Sequence, residues 1–326
     1  MNSPMFLTVD HDLAASRHAL GEDEVLVEIT HSKPFRRLQE ISFLGAIDYL
    51  DRPSSDVDSL RTRACHSLDV AALADFVARG RRYSSEMRRH VTAAALLHDI
   101  GHSPLSHSVE PYFKEQLGWG HHELGMSVLD GISGTSGKLA TKLRKHFDVE
   151  LLKALIAGEA PPEQGGDLFA SPINIDTIEG IWRSVLTVKG SAPALKRSSV
   201  ARAAFLQEPG TRESTSVLDK FWKLKHHAYN DLIHSDSGIA ADSYALSYFR
   251  FRNETPKESW LMATEKDWQS NFPELFSNLL SLDASSPAEL APVQDYTARA
   301  YWIDDRQEGM QRYQVTKAPA SIKIRH

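Results

Sequence analysis

The stretch Leu96–His107, LLHDIGHSPLSH, sets three histidines and an aspartate directly behind an apolar run. Whether it is a catalytic metal site or only a polar helix end decides how the rest of the chain is read. Its lead-in, MRRHVTAAALL, is basic at the start and apolar from Ala93 to Leu97, which is the pattern of a core helix. Gly101 and Pro104 stop that helix, glycine by favouring the left-handed exit and proline by removing a backbone donor. His98 and Asp99 therefore fall in its last turn.

The flanking sequence predicts more helices. RACHSLDVAALADFVARG puts Leu68, Ala72, Leu73, Phe76 and Val77 on one face and ends at Gly80; FRRLQEISFLGAIDYL spaces Phe35, Leu38, Ile41, Phe43 and Leu44 in the same way. Both read as core helices. GEAPPEQGGDLFASP and the segment 189–215, rich in Gly, Pro, Ser and charge, read as surface loops. After DASSPAELAP the pattern changes, and ARAYWID with RYQVT predicts a short hairpin or edge strands able to serve as an oligomer contact. The expected architecture is mainly α: a helical bundle over residues 1–282 and a C-terminal β extension over 283–326.

Composition narrows the classes. The 326 residues are 41% hydrophobic and 25% charged, as in ordinary globular domains. A formal charge of −6 offers no global attraction to nucleic acid or anionic lipid, so any phosphate binding must come from local cations. The runs RGRR at 79–82, Arg88–Arg89 and KLRK at 142–145 lack accompanying aromatic platforms and read as solvated helix faces. Lys220, Lys223 and Lys225 beside Tyr229 are the better local candidates for phosphate contact. One cysteine, Cys65, excludes an intrachain disulfide and fits a reducing compartment. With no signal-like or membrane-spanning apolar run, the expected location is the cytoplasm.

Imidazole and carboxylate donors suit borderline divalent metals, but a neighbouring His–Asp pair needs further ligands from other elements. His66, on the preceding core helix, and Asp176, flanked by apolar residues in SPINIDTIEGIW, are the candidates. His98, His102, His107, His121 and His122 gather beside Asp99. A structural core seldom collects so many titratable rings, since each buried one needs a partner.

In ordered motifs the chain resembles the HD superfamily of metal-dependent phosphohydrolases, and within it the dNTP triphosphohydrolase branch that includes bacterial dGTPases and the mammalian SAM-and-HD-domain enzyme. FRRLQEISFLG, RACHSLDV, LLHDIGHSPLSH, GHHELGMSVL and NIDTIEGIWR carry the likeness, which reaches from about residue 25 to 280 and weakens towards LKHHAY and ESWLMATEKDW. The resemblance implies His66, His98, Asp99 and Asp176 as ligands of one divalent transition metal (Mn, Fe, Zn or Ni), with Mg accompanying substrate. It implies that His102, His107 and His122 contact phosphate oxygens and move protons, that Glu110 orients His122, and that Arg63, Lys220, Lys223 and Tyr229 bind substrate. The implied activity is conversion of a dNTP to a deoxynucleoside and triphosphate by a homo-oligomeric enzyme.

The chain also departs from that branch. Thr177 stands for a Lys, Gly180 for a Tyr, Ser184 for an Asp, and Phe43 for a sugar-reading Gln. The metal set is therefore complete while the sugar-reading shell is not. That leaves three alternatives beside the dNTPase: action on another nucleotide, a nucleotide sensor with little turnover, and a two-iron oxygenase that uses the extra histidines.

Overall fold

The computed structural model describes residues 10–50, 60–208, 210–252, 255–282 and 293–323. These residues are mainly helical, with a single two-stranded antiparallel sheet at the C-terminal end. The Arg63–Gly80 helix begins at Thr62, whose side chain accepts from Cys65 N, and the Ser85–Leu97 helix begins at Ser84, which accepts from Met87 N. These caps satisfy donors that a helix start leaves open. The two helices pack against each other and bring Ala72, Leu73 and Val77 together with Val91, Ala94 and Leu97 in the larger apolar core.

A second apolar core forms from Ala46, Tyr49, Leu105, Val109 and Phe113 with the helices Asp236–Arg250, Glu265–Asn271 and Pro273–Ser281. The HD-containing stretch crosses the seam. Ile100 belongs to the first core and Leu105 to the second, so the polar residues between them are held from both sides.

Two expected features are corrected. FRRLQEISFLGAIDYL is not one helix: it breaks into Lys33–Arg37, a 3-10 turn at Leu38–Glu40, an extended Ile41 to Phe43, and a 3-10 turn at Gly45–Tyr49. Its backbone is claimed by distant partners. Phe43 N donates to Arg61 O at 2.8 Å, and Ser42 N to Glu265 Oε1 at 2.8 Å. Gly45, at φ +64°, lies so close to Leu105 that a Cβ would stand 2.3 Å from its carbonyl oxygen. The segment 189–215 is not only loop, because it contains the Arg197–Phe205 helix, whose Val200, Ala201 and Phe205 enter the larger core.

The hairpin pairs β1 (Val293–Ile303) with β2 (Tyr313–Lys323), Tyr301 opposite Val315. It lies on the Arg212–His227 helix, where Trp222 Nε1 donates to Trp302 O at 3.0 Å and Gln314 O at 3.2 Å. Tyr301 and Tyr313 are buried against Trp222. Among the described residues, no helix is long and apolar enough to cross a membrane.

Candidate metal centre

Three separate elements deliver the four expected ligands to one point. His66 sits fully buried on the Arg63–Gly80 helix, His98 caps the end of the next helix, Asp99 follows it, and Asp176 opens the Ile175–Lys189 helix. His66 Nε2 lies 3.0 Å from Asp176 Oδ1, 3.3 Å from His98 Nε2 and 3.6 Å from Asp99 Oδ2; His98 Nε2 lies 3.3 Å from Asp99 Oδ1. Donors about 2.0–2.2 Å from one ion stand roughly this far from each other, so the set fits a divalent metal. The other ring nitrogens agree: His98 Nδ1 is held by Ala95 O at 2.7 Å and His66 Nδ1 by Glu179. Both rings are thereby turned so that Nε2 faces the common point.

Behind His66 lies a buried charge network. Glu179 also accepts from Arg183 and Arg197, both of which reach Asp69, and Asp69 in turn pairs with Arg17. Burial pushes the Asp69 carboxyl up, but these arginines hold it far below the usual carboxylate range. Burial likewise works against a charged His98, and Asp99 and Asp176 overcome it and raise the ring to about 9. Asp99 and Asp176 thus favour positive charge at this point, as a cation site requires.

Next to it stands a second histidine group. His102, His107 and His121 bring ring nitrogens within 4.8 Å of one another. His102 and His121 stack at 4.2 Å, and His102 Nε2 lies 3.2 Å from Asp99 Oδ1. Burial, reinforced by Arg63, lowers His102 well below the ordinary imidazole value, so it is neutral. Glu110 serves the other two rings, His107 Nδ1 at 2.9 Å and His121 Nδ1 at 2.6 Å. Here the sequence expectation is corrected: the partner of Glu110 is His121, not His122. His121 N also donates to Glu110 Oε1 at 2.8 Å, while His122 is exposed at the cavity mouth.

The loop carrying these rings is strained and pinned. Leu105 and Ser106 adopt φ of 57° and 46°, costly values for side-chain-bearing residues that persist where the surroundings impose them. The anchors are Glu265, which accepts from Leu105 N at 3.0 Å, and Ser42, whose carbonyl accepts from Ser106 Oγ at 2.7 Å. Gly101 lets the loop touch the His121–Asp130 helix, since a Cβ there would lie 2.1 Å from His121 O.

The centre opens into a cavity of about 1150 Å³. Arg63 lines it but is already engaged, donating to Asp99 Oδ2 (2.8 Å), Ser106 Oγ (3.0 Å) and Phe43 O (2.7 Å). Tyr229, in the π-helical turn Ala228–Ile233, lines the cavity as expected. Lys220 and Lys223 do not: they are exposed on another face, beside Asp219. Phe43 lies against Gly180, where a Cβ would be 3.5 Å from its ring, and against His66. The space left by Gly180 thus has an aromatic wall after all, an apolar one. The basic runs are largely paired: Arg79 and Arg88 with Asp75, Arg81 with Asp167, Arg89 with Asp23 and Lys142 with Glu28.

Glu179, Glu265, Asp242 and Arg299 were missed from sequence. Glu179, three residues after Asp176, carried a signal, because i and i+3 positions share a helix face. The other three come from segments more than 130 residues beyond the HD stretch, and no local pattern links them to it.

Residues 63–168, which carry His66, His98 and Asp99, match the HD domain family. Over part of its length the chain is similar to proteins named deoxyguanosinetriphosphate triphosphohydrolase-like. It is 36% identical over 104 residues to a deoxyguanosinetriphosphate triphosphohydrolase-like protein of Caldanaerobacter subterraneus, covering 31% of this chain and 28% of that one. A namesake from Mesorhizobium japonicum is 28% identical over 134 residues, 41% of this chain and 31% of the relative. The match to Bacillus subtilis YwfO is 34% over 172 residues, 51% and 37% respectively. The chain thus aligns with only about a third of these relatives' length. A crystal structure of a hypothetical protein from Aquifex aeolicus superposes with a TM-score of 0.68 over 92% of both chains at 15% identity, a likeness of fold.

Proposed function

We propose that the protein is a metal-dependent phosphohydrolase acting on a nucleotide, with the conversion of a dNTP to a deoxynucleoside and triphosphate as the leading reaction. The observation that carries this reading is the convergence of His66, His98, Asp99 and Asp176 beside the His102–His121–Glu110 group at the mouth of one large cavity. The four ligands would hold a divalent transition metal, manganese being the first to test. Such an ion, when bound, supplies a Lewis acid and acidifies coordinated water. The chain's own residues do the rest. Arg63 keeps Asp99 ionised and oriented. His107 and His121, each held by Glu110, line the cavity and are placed to pass a proton towards a leaving group.

Metal analysis of the purified chain, followed by product identification on a mixed nucleotide pool with Mn²⁺, tests the proposal. Deoxynucleoside plus triphosphate supports the leading reaction, release of phosphate redirects it to another phosphohydrolase, and tight binding without product replaces it with a sensor. A second reading rests on the His102–His107–His121 spacing, which itself suits a metal. Two irons per chain would turn the assignment towards a two-iron oxygenase; one ion keeps it with hydrolysis.

A further inference from the structure

The C-terminal hairpin, which lies outside the matched family segment, reaches the same cavity as the metal centre. Arg299 of β1 lines that cavity together with Tyr229, Ile233 and His234. Its guanidinium lies over the Tyr229 ring at 5.1 Å, and its Nε is buried without a hydrogen-bond partner. Among the described residues no carboxylate forms an ion pair with it; the other arginines at or behind the centre, Arg63, Arg183 and Arg197, all have one. A buried donor on a permanently charged group calls for an anionic partner.

The surroundings add to this demand. Lys225 lies beneath the hairpin, its Nζ 4.7 Å from the Trp222 ring centre and 5.1 Å from that of Tyr301, and its one hydrogen bond goes to a neutral acceptor, Pro172 O at 3.3 Å. His234 also presents an unpartnered Nδ1. Arg299 and His234 thus line the cavity, with Lys225 beneath the hairpin, and among the described residues none of the three forms an ion pair. Asp99, Asp176 and Asp242 line the same cavity.

We propose that Arg299 is a substrate-binding residue supplied by the hairpin, and that the subsite it forms takes a phosphate group of the substrate remote from the reacting one. This deepens the phosphohydrolase reading and rests on it for the identity of the ligand, while the anion site itself does not depend on turnover. Inorganic tripolyphosphate is the probe. Titrated calorimetrically into the full chain after chelation of metal, it binds the unmodified protein; Arg299→Gln weakens that binding tenfold or more, and Arg299→Lys restores it to within threefold. His66→Ala, which disables the metal centre, leaves it within threefold.

Absence of binding by the unmodified chain, equal binding by Arg299→Gln, or failure of Arg299→Lys to rescue at an unchanged melting temperature overturns the proposal. Nucleotide turnover with Mn²⁺, measured on the same samples, separates the two claims. Loss of tripolyphosphate binding in Arg299→Gln without any turnover in the parent leaves the subsite standing and removes the reaction. Turnover with no Arg299 dependence of either KM or tripolyphosphate binding does the reverse.

Discussion

The cavity has two sides built on opposite principles. At the candidate metal centre the converging side chains are held from behind: His66 by Glu179, His98 by Ala95 O, Asp99 by Arg63, and Arg183 by Asp69. Around the hairpin, Arg299, Lys225 and His234 form no ion pair among the described residues, and the π-helical turn that presents Tyr229 marks an irregularity of a kind frequent at functional sites. The first side is organised in advance to fix a small cation. The second is left short of negative charge, which a ligand can bring. On the reading proposed above, chemistry falls to the segment that matches the HD domain and phosphate recognition to the hairpin.

If the division is real, damage to the first side is the more severe. His66→Ala should lose both metal and turnover with the fold intact, because Glu179 keeps Arg183 and Arg197 as partners. Asp99→Ala should lose both and also stability, by about 3–5 kcal/mol, since it strands the buried Arg63 charge. Metal content by mass spectrometry and urea unfolding read the two effects separately. Full metal occupancy in both variants would break the assignment of the centre.

Within the histidine group the structure pairs Glu110 with His121 rather than with the His122 expected from sequence. His121→Ala or Glu110→Ala should lower kcat by ~10²-fold with metal retained, the usual range for losing a proton-transfer group. His122→Ala should stay within about threefold, because it lacks the Glu110 pairing. Equal losses at 121 and 122 would return the role to both rings.

The HD helix end, the Arg63–Gly80 helix, the hairpin and the residues that converge at the candidate metal centre, His66, His98, Asp99 and Asp176, were legible in the sequence as local patterns or motifs. What was not legible depends on partners far along the chain. FRRLQEISFLGAIDYL has helical spacing, yet Arg61 and Glu265 take its backbone groups, and tertiary hydrogen bonds outweigh a weak propensity. The Glu110 partner turned on which of two adjacent histidines faces inward, a question of helix phase that the dipeptide His121–His122 does not answer.

Asp242 offers a test at the junction of the two sides, since it lines the cavity and accepts from Ser108 Oγ at 2.6 Å on the pinned loop. Burial raises its carboxyl to about 6, with the Ser108 hydrogen bond opposing the rise. The folded state therefore prefers the protonated form. That stability is complete below the unfolded value near 3.8 and is lost as pH climbs through about 6. Asp242→Asn, measured by urea denaturation, should match the parent at pH 4 and exceed it at pH 8 by about 1–2 kcal/mol, after discounting for partial exposure. A parent whose stability rises between pH 4 and 8 relative to the variant would reverse the sign and place the charge in the fold.

The smallest effect expected concerns the sugar. Discrimination against a hydroxyl is strong only where the site pairs that group with buried polar partners. Beside the metal centre the surface offered is the Phe43 ring over Gly180, with its π-face further engaged by Arg63 at 4.9 Å; neither side chain hydrogen-bonds a hydroxyl. If recognition rests instead on anion contacts at the hairpin, it reads phosphates, which ribo- and deoxynucleotides share. Paired substrates assayed with Mn²⁺ should then differ in kcat/KM by no more than about tenfold, or ~1.4 kcal/mol. A deoxy preference of a thousandfold would place a sugar filter in residues other than Phe43 and Gly180, and recognition would no longer belong mainly to the hairpin side.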